Sequence, residues 1–504
     1  MGDVMWRALC VALLAGLGAQ ARGDWDRPGA PLCPPGKHRR CTLTNSVQDE
    51  YIGTVDGHSI VIRFVIGELF RLKCNGSAVL DSDALPYFAE PQMVLRVQLF
   101  QCPAPRNASY AQALAALRLV TPEWPDGRVG EASVALRGYE NLVITGSSPE
   151  HFPTQAHHLH GLDGLLRLTV NAASSRPSPP VTRLLLDGRL ASLRVLRLDG
   201  ATLAADALLA LPAALQELHL VNAGVAAIPA AALRRLPSLA ILLVVQNTKA
   251  GVSVEAGAAP DLTALTVRAR LGPVRLTGPV PRNLTKLEVE WGPRAPLDLR
   301  PFGRLVDDGA PGVGANESAL QLAGWLAQCP HLRDLSVHGR LAALPAALLA
   351  GQRALRRLSL SRCELTELPE LLLSQSGSLE ELDLSHNRLR RLPSQLLGGT
   401  RRLAILKLSY NMLEASAAAV AGTAPADTMR KLHLDYNPLG DLCRGEGASS
   451  HVWTDSDSAL KKLLSLEELN LRYTNVNRVC RDWRQSMKNL IKLDLTRTNI
   501  TQLS

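Results

Sequence analysis

The chain is expected to fold as an α/β solenoid, and three observations in its 504 residues point there. One phrase is written three times at a strict step of 24: LRRLSLSRCEL from Leu355, LEELDLSHNRL from Leu379 and LAILKLSYNML from Leu403. Looser copies open at Leu165, Leu193, Leu215, Leu239, Leu262, Leu284 and Leu332, and again at Met429, Leu466 and Leu490. Pro229, Pro369 and Pro393 each fall at offset 14 of their copies, counting the opening residue as zero.

This is the leucine-rich-repeat pattern, with leucines at offsets 0, 3, 5 and 10 and Asn or Cys at 8. Offsets 3 and 5 alternate as a short strand that turns its leucines inward and the intervening residues outward. An Asn at offset 8 can bond backbone groups that stacking leaves unpaired at the turn. Proline at offset 14 suits the start of a short helical or extended return, where its missing N–H would be unsatisfied anyway. No copy buries its leucines alone, so copies must stack. About thirteen strands at ~4.8 Å spacing predict a horseshoe whose curved sheet runs on the order of 60 Å.

The ends of the reading are set by targeting and cysteine chemistry. Arg7 precedes the apolar run Ala8–Ala19, and Ala19-Gln20-Ala21 fits a cleavage site, so residues 1–21 read as a signal peptide. No later run approaches the ~18 apolar residues of a membrane span. The mature chain is therefore expected to be extracellular, secreted as written. Cys10 leaves with the signal, and eight of the nine cysteines remain in an oxidising compartment. Five sequons, at Asn75, Asn107, Asn283, Asn316 and Asn499, suit the same route as glycosylation sites. The net charge of +9 is spread through Arg-rich turns rather than gathered in a tract. That favours an acidic partner and does not imply nucleic acid.

Residues 22–110 read as an N-terminal cap. Residues 22–32 form a Gly-, Pro- and Asp-rich leader. The leucine rhythm is then absent from Cys33 to Cys102, where Ser59–Ile66 and Val94–Leu99 look strand-like. A first repeat would expose its leucines without such a lid. Cys33, Cys41, Cys74 and Cys102 allow three pairings, of which Cys33–Cys41 with Cys74–Cys102 is expected. Their spacing and compartment argue against zinc. Residues 111–330 read as irregular repeats. Between Trp291 and Pro330 there is room for one degenerate repeat or a loop insertion.

Residues 331–504 read as regular repeats with an incomplete C-terminal end. The step of 37 from Met429 to Leu466 carries an insertion around Gly445–Asp457. Cys443 and Cys480 occupy offset 14 of these neighbouring copies, and equivalent positions in stacked repeats lie within bridging distance, so a Cys443–Cys480 disulfide is expected. The alternative is two separate buried thiols. Cys363, at the Asn offset, reads as a packed thiol, and Cys329 is unassigned.

Candidate binding residues form one column. Offset 7 carries Arg362, His386, Tyr410, Tyr436, Tyr473 and Arg497, and three of the chain's seven tyrosines fall there. Tyr and Arg are favoured binding anchors. Rings that simply fit a slot and stack on one another remain the equal alternative. His151, His157, His158 and His160 cluster in EHFPTQAHHLH, but without an HExxH pattern they read as an exposed loop or convex return rather than a metal site. No phosphate loop, nucleophile elbow or catalytic carboxylate pair stands out, so no enzyme and no cofactor are expected.

The C-terminal repeats carry something more specific. KLHLDYNPLGDL from Lys431, followed by LSLEELNLRYTNVNRVCRDWRQSMKNLIKLDLTRTNI, resembles the distal ectodomain repeats of arthropod Toll receptors, with Asp482, Trp483 and Met487 in the places of that family's Asp-Trp pair and Met. FRLKCN and Cys102-Pro103 resemble its pre-repeat cap. Thr474 and Thr498 depart from it by replacing the ladder Asn. The resemblance implies a cell-surface receptor of innate immunity or development, able to dimerise, whose ectodomain binds a secreted, Spätzle-like cystine-knot cytokine. The family's membrane span and TIR domain would lie past Ser504. A secreted leucine-rich matrix or adhesion protein, or a soluble decoy, is the competing expectation.

Overall fold

The computed structural model describes residues 30–34, 41–47, 49–75, 79–90, 92–120, 140–182, 190–292, 295, 297–298, 315–341, 343–421, 423–443, 459–480 and 482–503. Its contacts divide the chain into two units, Met1–Tyr139 and Glu140–Ser504.

The first unit is an antiparallel meander with one parallel addition. Strands β1 (Cys41–Val47), β2 (Glu50–Val55), β3 (His58–Val65) and β4 (Leu69–Asn75) pair in order, and β5 (Arg96–Phe100) joins β4 in parallel. Asp56-Gly57 closes the β2–β3 hairpin with φ of 51° and 85°, the double left-handed turn that matches strand twist. Period-two burial makes the core: Ile60, Ile62 and Phe64 on β3, Phe70, Leu72 and Cys74 on β4, and Val97 and Leu99 on β5. Cys33–Cys41 and Cys74–Cys102 are disulfide-bonded.

Helix α1 (Tyr110–Ala116) opens on a capping box in which Gln112 N donates to Ser109 Oγ and Ser109 N donates to Gln112 Oε1. Beyond it Leu119–Val120 pairs with Gln92–Met93. This pairing carries the first unit past residue 110, where the sequence reading starts the repeats.

The second unit is a leucine-rich-repeat solenoid. Its face is a parallel ladder of β6 (Asn141–Thr145), β7 (Arg167–Asn171), β8 (Val195–Asp199), β9 (Glu217–Val221), β10 (Ile241–Gln246), β11 (Ala264–Ala269), β12 (Lys286–Trp291) and β13 (Asp334–His338). It continues through β14 (Arg357–Ser359), β15 (Glu381–Asp383), β16 (Ile405–Lys407), β17 (Lys431–His433), β18 (Glu468–Asn470) and β19 (Lys492–Asp494). Each strand from β7 onward starts two residues after an opening residue read from the sequence. β6 is an addition, because its repeat has Tyr139 where the pattern asks for leucine.

Pairing runs straight from one repeat to the next, with Leu358 opposite Leu382 and Leu382 opposite Leu406. These leucines are buried, whereas Leu493 on the last strand is 39% exposed. β12 pairs directly with β13, so the 48-residue step between Leu284 and Leu332 is one repeat with an insertion, not two repeats. Helix α2 (Ala315–Leu326) lies within that insertion. The insertion expected around Gly445–Asp457 lies outside the described residues, except that β17 and β18 pair across it.

The returns are mostly turns, 3-10 segments and short strands. Ala227–Ile228, Val252–Val254, Val274–Leu276 and Leu297–Asp298 form a second parallel sheet, which is why the middle third looks irregular to a helical eye. Pro229 caps the short helix Ala230–Leu233. Pro369 and Pro393 open turns in which Leu372 N and Leu396 N donate back to the proline carbonyls.

Candidate functional site

The regular copies leave their strands by one sharp turn at offset 7, whereas Ala172, Gln246, Ala269 and Trp291 hold that offset in other copies without a positive φ. Arg362, His386, Tyr410, Tyr436, Tyr473 and Arg497 all have φ between 53° and 58°. In other copies the same offset holds Gly200, Asn222 and Gly339, also at positive φ. Bulky residues rarely adopt this left-handed conformation, which costs about 1–2 kcal/mol per residue. The column therefore stands just past the strands, at one edge of the ladder.

Hydrogen bonds hold each turn to the next repeat. Tyr410 N donates to Asp435 O, Tyr436 N to Arg472 O and Tyr473 N to Thr496 O, each at 2.9 Å. Directly beneath lies the asparagine ladder. Asn411 Nδ2 donates to Leu384 O and Leu408 O at 3.0 Å, and its Oδ1 accepts from Leu389 N at 3.1 Å. Asn387 and Asn437 bond in the same way. Thr474 and Thr498 keep part of this role by donating to Leu471 O and Leu495 O.

Stacked repeats bring the rings into register. Centroids of His386 and Tyr410 lie 4.4 Å apart with planes at 9°, those of Tyr410 and Tyr436 at 4.1 Å and 12°, and those of Tyr436 and Tyr473 at 4.5 Å and 15°. The spacing follows the strand repeat. Two guanidiniums close the C-terminal end: Arg497 stands 5.2 Å from the Tyr473 ring centroid and Arg472 stands 5.0 Å from it. Arg472 was not singled out in the sequence, although its place one residue before Tyr473 was the available signal. The column is interrupted on the other side by Gly339, where a Cβ would come 2.4 Å from the Trp291 ring.

Electrostatics follow from this crowding. Burial, then the nearby Arg362, holds the His386 imidazole below its ordinary range. A hydrogen bond with Tyr410 raises the Tyr436 phenol. Beside the column the strand face is charge-paired: Arg357 with Asp334 at 2.6 Å, Lys431 with Glu468 at 3.3 Å and Lys492 with Glu468 at 2.7 Å. Asp435, nearly buried, accepts from Ser409 Oγ and Asn470 Nδ2. By contrast, Arg362, Arg472 and Arg497 have no described carboxylate within 4.0 Å.

The remaining candidates separate from the column. The four histidines lie in the return between β6 and β7, one of the two places expected, but His151 and His158 are buried there, because each turns its Nδ1 inward to serve a turn. His151 Nδ1 accepts from Ser147 N and Ser148 N at 3.2 and 3.1 Å, and His158 Nδ1 from Thr154 N and Gln155 N at 3.1 and 3.3 Å. Only His160 of the four is fully exposed. Asn75, Asn107, Asn283 and Asn499 are exposed, and the side chain of Asn316 lies outside the described residues. Cys443 and Cys480 are disulfide-bonded, and Cys329 and Cys363 are buried free thiols. Among the described residues no helix is long and apolar enough to cross a membrane.

The family profile for the leucine rich repeat matches residues 353–413. No curated protein matches the sequence. Among solved structures, the Toll–Spätzle complex of Drosophila is similar at 20% identity and a TM-score of 0.56, over 91% of this chain and 62% of that chain. Its glycosylated form is similar at 19% identity and a TM-score of 0.56, over 92% and 63%. The PEPR1–AtPEP1 complex gives 21% identity and a TM-score of 0.44, over 80% and 55%. The chain thus spans under two thirds of the length of these solved chains, and at these identities the likeness is one of fold.

Proposed function

We propose that this chain is the extracellular ligand-recognition part of a Toll-type receptor of innate immunity or development, binding a secreted, Spätzle-like cystine-knot cytokine by protein–protein contact. The observation that carries the reading is the stacked column at offset 7. Six consecutive regular repeats place Arg or aromatic side chains in a strained turn, and four of the rings stack in a line that solvent reaches. Tyr410, at 42% exposure, is large, pre-ordered and amphipathic, which is what a binding anchor needs at low entropic cost.

Support of a second kind comes from the setting. Three disulfides and four exposed sequons suit an oxidising, glycosylating route to the cell exterior. The fold likeness to the Drosophila Toll–Spätzle structure and the Asp482, Trp483 and Met487 pattern support the receptor reading. Dimerisation of the receptor on its ligand belongs to the same reading.

The test is affinity. Replacing Tyr410, Tyr436 and Tyr473 together with Ala in the secreted chain should weaken binding of a processed Spätzle-type dimer at least tenfold, read by surface plasmon resonance. Unchanged affinity would remove the column from the interface, and no binding by the unaltered chain would remove the cytokine.

A further inference from the structure

The ring column presents its edges, not its faces. Tyr410 and Tyr436 each have a ring stacked on both sides at 4.1–4.5 Å, so their π-faces are occupied by neighbours. A sugar ring or a nucleobase would need those faces. What remains for a partner is the ring edge, which carries the positive end of the aromatic quadrupole and favours anions.

Charge points the same way. Arg472 and Arg497 crowd one ring, Tyr473, at 5.0 and 5.2 Å, and Arg362 stands at the other end beside His386. Two like charges around one ring repel, yet no described carboxylate lies within 4.0 Å of either. Asp494 acts on Arg472 through space without an ion pair, and is itself bonded by Thr496 N at 2.9 Å and by the Thr496 hydroxyl. On the strand face a few residues away the cations Arg357, Lys407, Lys431 and Lys492 each have an acidic partner. The column thus differs from the strand face beside it.

Met412, two residues on from Tyr410 in the sequence, is 49% exposed. An exposed thioether offers an apolar contact that a purely ionic ligand would leave unfilled.

We infer that the column takes an acidic segment of a protein partner, whose carboxylates lodge on Arg472 and Arg497 around Tyr473 while an apolar side chain lies on Tyr410 and Met412. This rests on the column being the binding face and adds the chemistry of what binds it. A carboxylate between the two guanidiniums relieves their repulsion and forms charge-assisted hydrogen bonds that Lys in either place would not make in forked geometry.

The experiment uses the secreted chain and fluorescent peptides read by anisotropy. The probe is a twelve-residue peptide alternating Glu with Leu and Gly, set against its Lys counterpart and a heparin octasaccharide. The acidic peptide should bind, the Lys peptide should not, and Arg472→Gln with Arg497→Gln should weaken the acidic peptide at least tenfold. Arg357→Gln, on the paired strand face, should change it less than twofold. Heparin binding at the same arginines with no acidic-peptide binding would overturn the inference in favour of an anionic glycan, as would equal binding of both peptides. With the cytokine as ligand the two readings separate. Loss on tyrosine replacement but not on arginine replacement keeps the column and discards the acidic partner, and loss on neither discards both.

Discussion

Tyr410 and Tyr436 stack at 4.1 Å while their backbones sit at φ of 56° and 57°, a conformation that an L-residue with a bulky side chain seldom holds. Stacking and strain oppose one another here, and the two can be separated by substitution. Tyr410→Ala removes the ring but keeps a Cβ in the left-handed turn. Tyr410→Gly removes both. Ala should therefore lower stability by about 1–2 kcal/mol through two lost ring contacts. Gly should recover about 1 kcal/mol of that by relieving the turn. Denaturant midpoints of the two variants check it, and Gly falling below Ala would mean the turn is not strained.

Much of this was legible beforehand, and the reason is periodicity. Leu165 through Leu490 mark strands because a buried leucine recurs wherever the ladder recurs, and the phase carries over even the 48-residue step before Leu332. The turn at offset 7 was less legible. Nothing in Arg362, Tyr410 or Tyr473 as residue types announces a left-handed backbone, for which Gly or Asn is the usual marker. β6 was missed because Tyr139 opens its repeat, and the second sheet because two- or three-residue strands such as Val252–Val254 are too short to show alternation. The inward roles of His151 and His158 are local, each Nδ1 accepting from backbone N–H groups three and four residues back, a turn bond that histidine as a residue type does not announce.

Asn411 tests the ladder beneath the column. Its buried amide donates to Leu384 O and Leu408 O and, at 3.3 Å, to Ser409 O, and accepts from Leu389 N. Asn411→Ala leaves a backbone N–H and carbonyls without partners, and should cost about 2–4 kcal/mol. Asn411→Asp should cost more, because a carboxylate has no hydrogens for Leu384 O and Leu408 O and must be buried charged. Thermal melts of both variants give the order, and Asp equalling Ala would show that the donors are dispensable.

Acid should loosen the chain through His151. Burial pulls its pKa below the ordinary value, with Glu150 opposing more weakly. Its Nδ1 must stay unprotonated to accept from Ser147 N and Ser148 N. With the folded value lowered, the stability it contributes is fully present above the unfolded value near 6.5 and is lost as pH falls below it. His219 and His433, also lowered chiefly by burial, act in the same direction. Midpoint temperatures measured from pH 7.5 to 5 should fall, and His151→Asn, which keeps an acceptor without a proton to gain, should flatten the slope. A slope unchanged in that variant would clear His151 of the effect.

Cys363 stands where its neighbours carry asparagine, and its sulfur takes over part of their bonding, with Sγ 3.1 Å from Val337 O and 3.5 Å from Ser361 O. Burial pushes its thiol up to about 12, and burial does the same to Cys329. Reactivity requires thiolate and access, and both are withheld in the fold. An aromatic disulfide reagent at pH 8 should therefore label neither Cys329 nor Cys363 in the native chain and both once it is unfolded in guanidinium. Each labelled site can be assigned by peptide mass. Native labelling of Cys363 at the rate of a free thiol would show that the repeat opens at the turn and that the ladder from Val337 to Ser361 is not held as described.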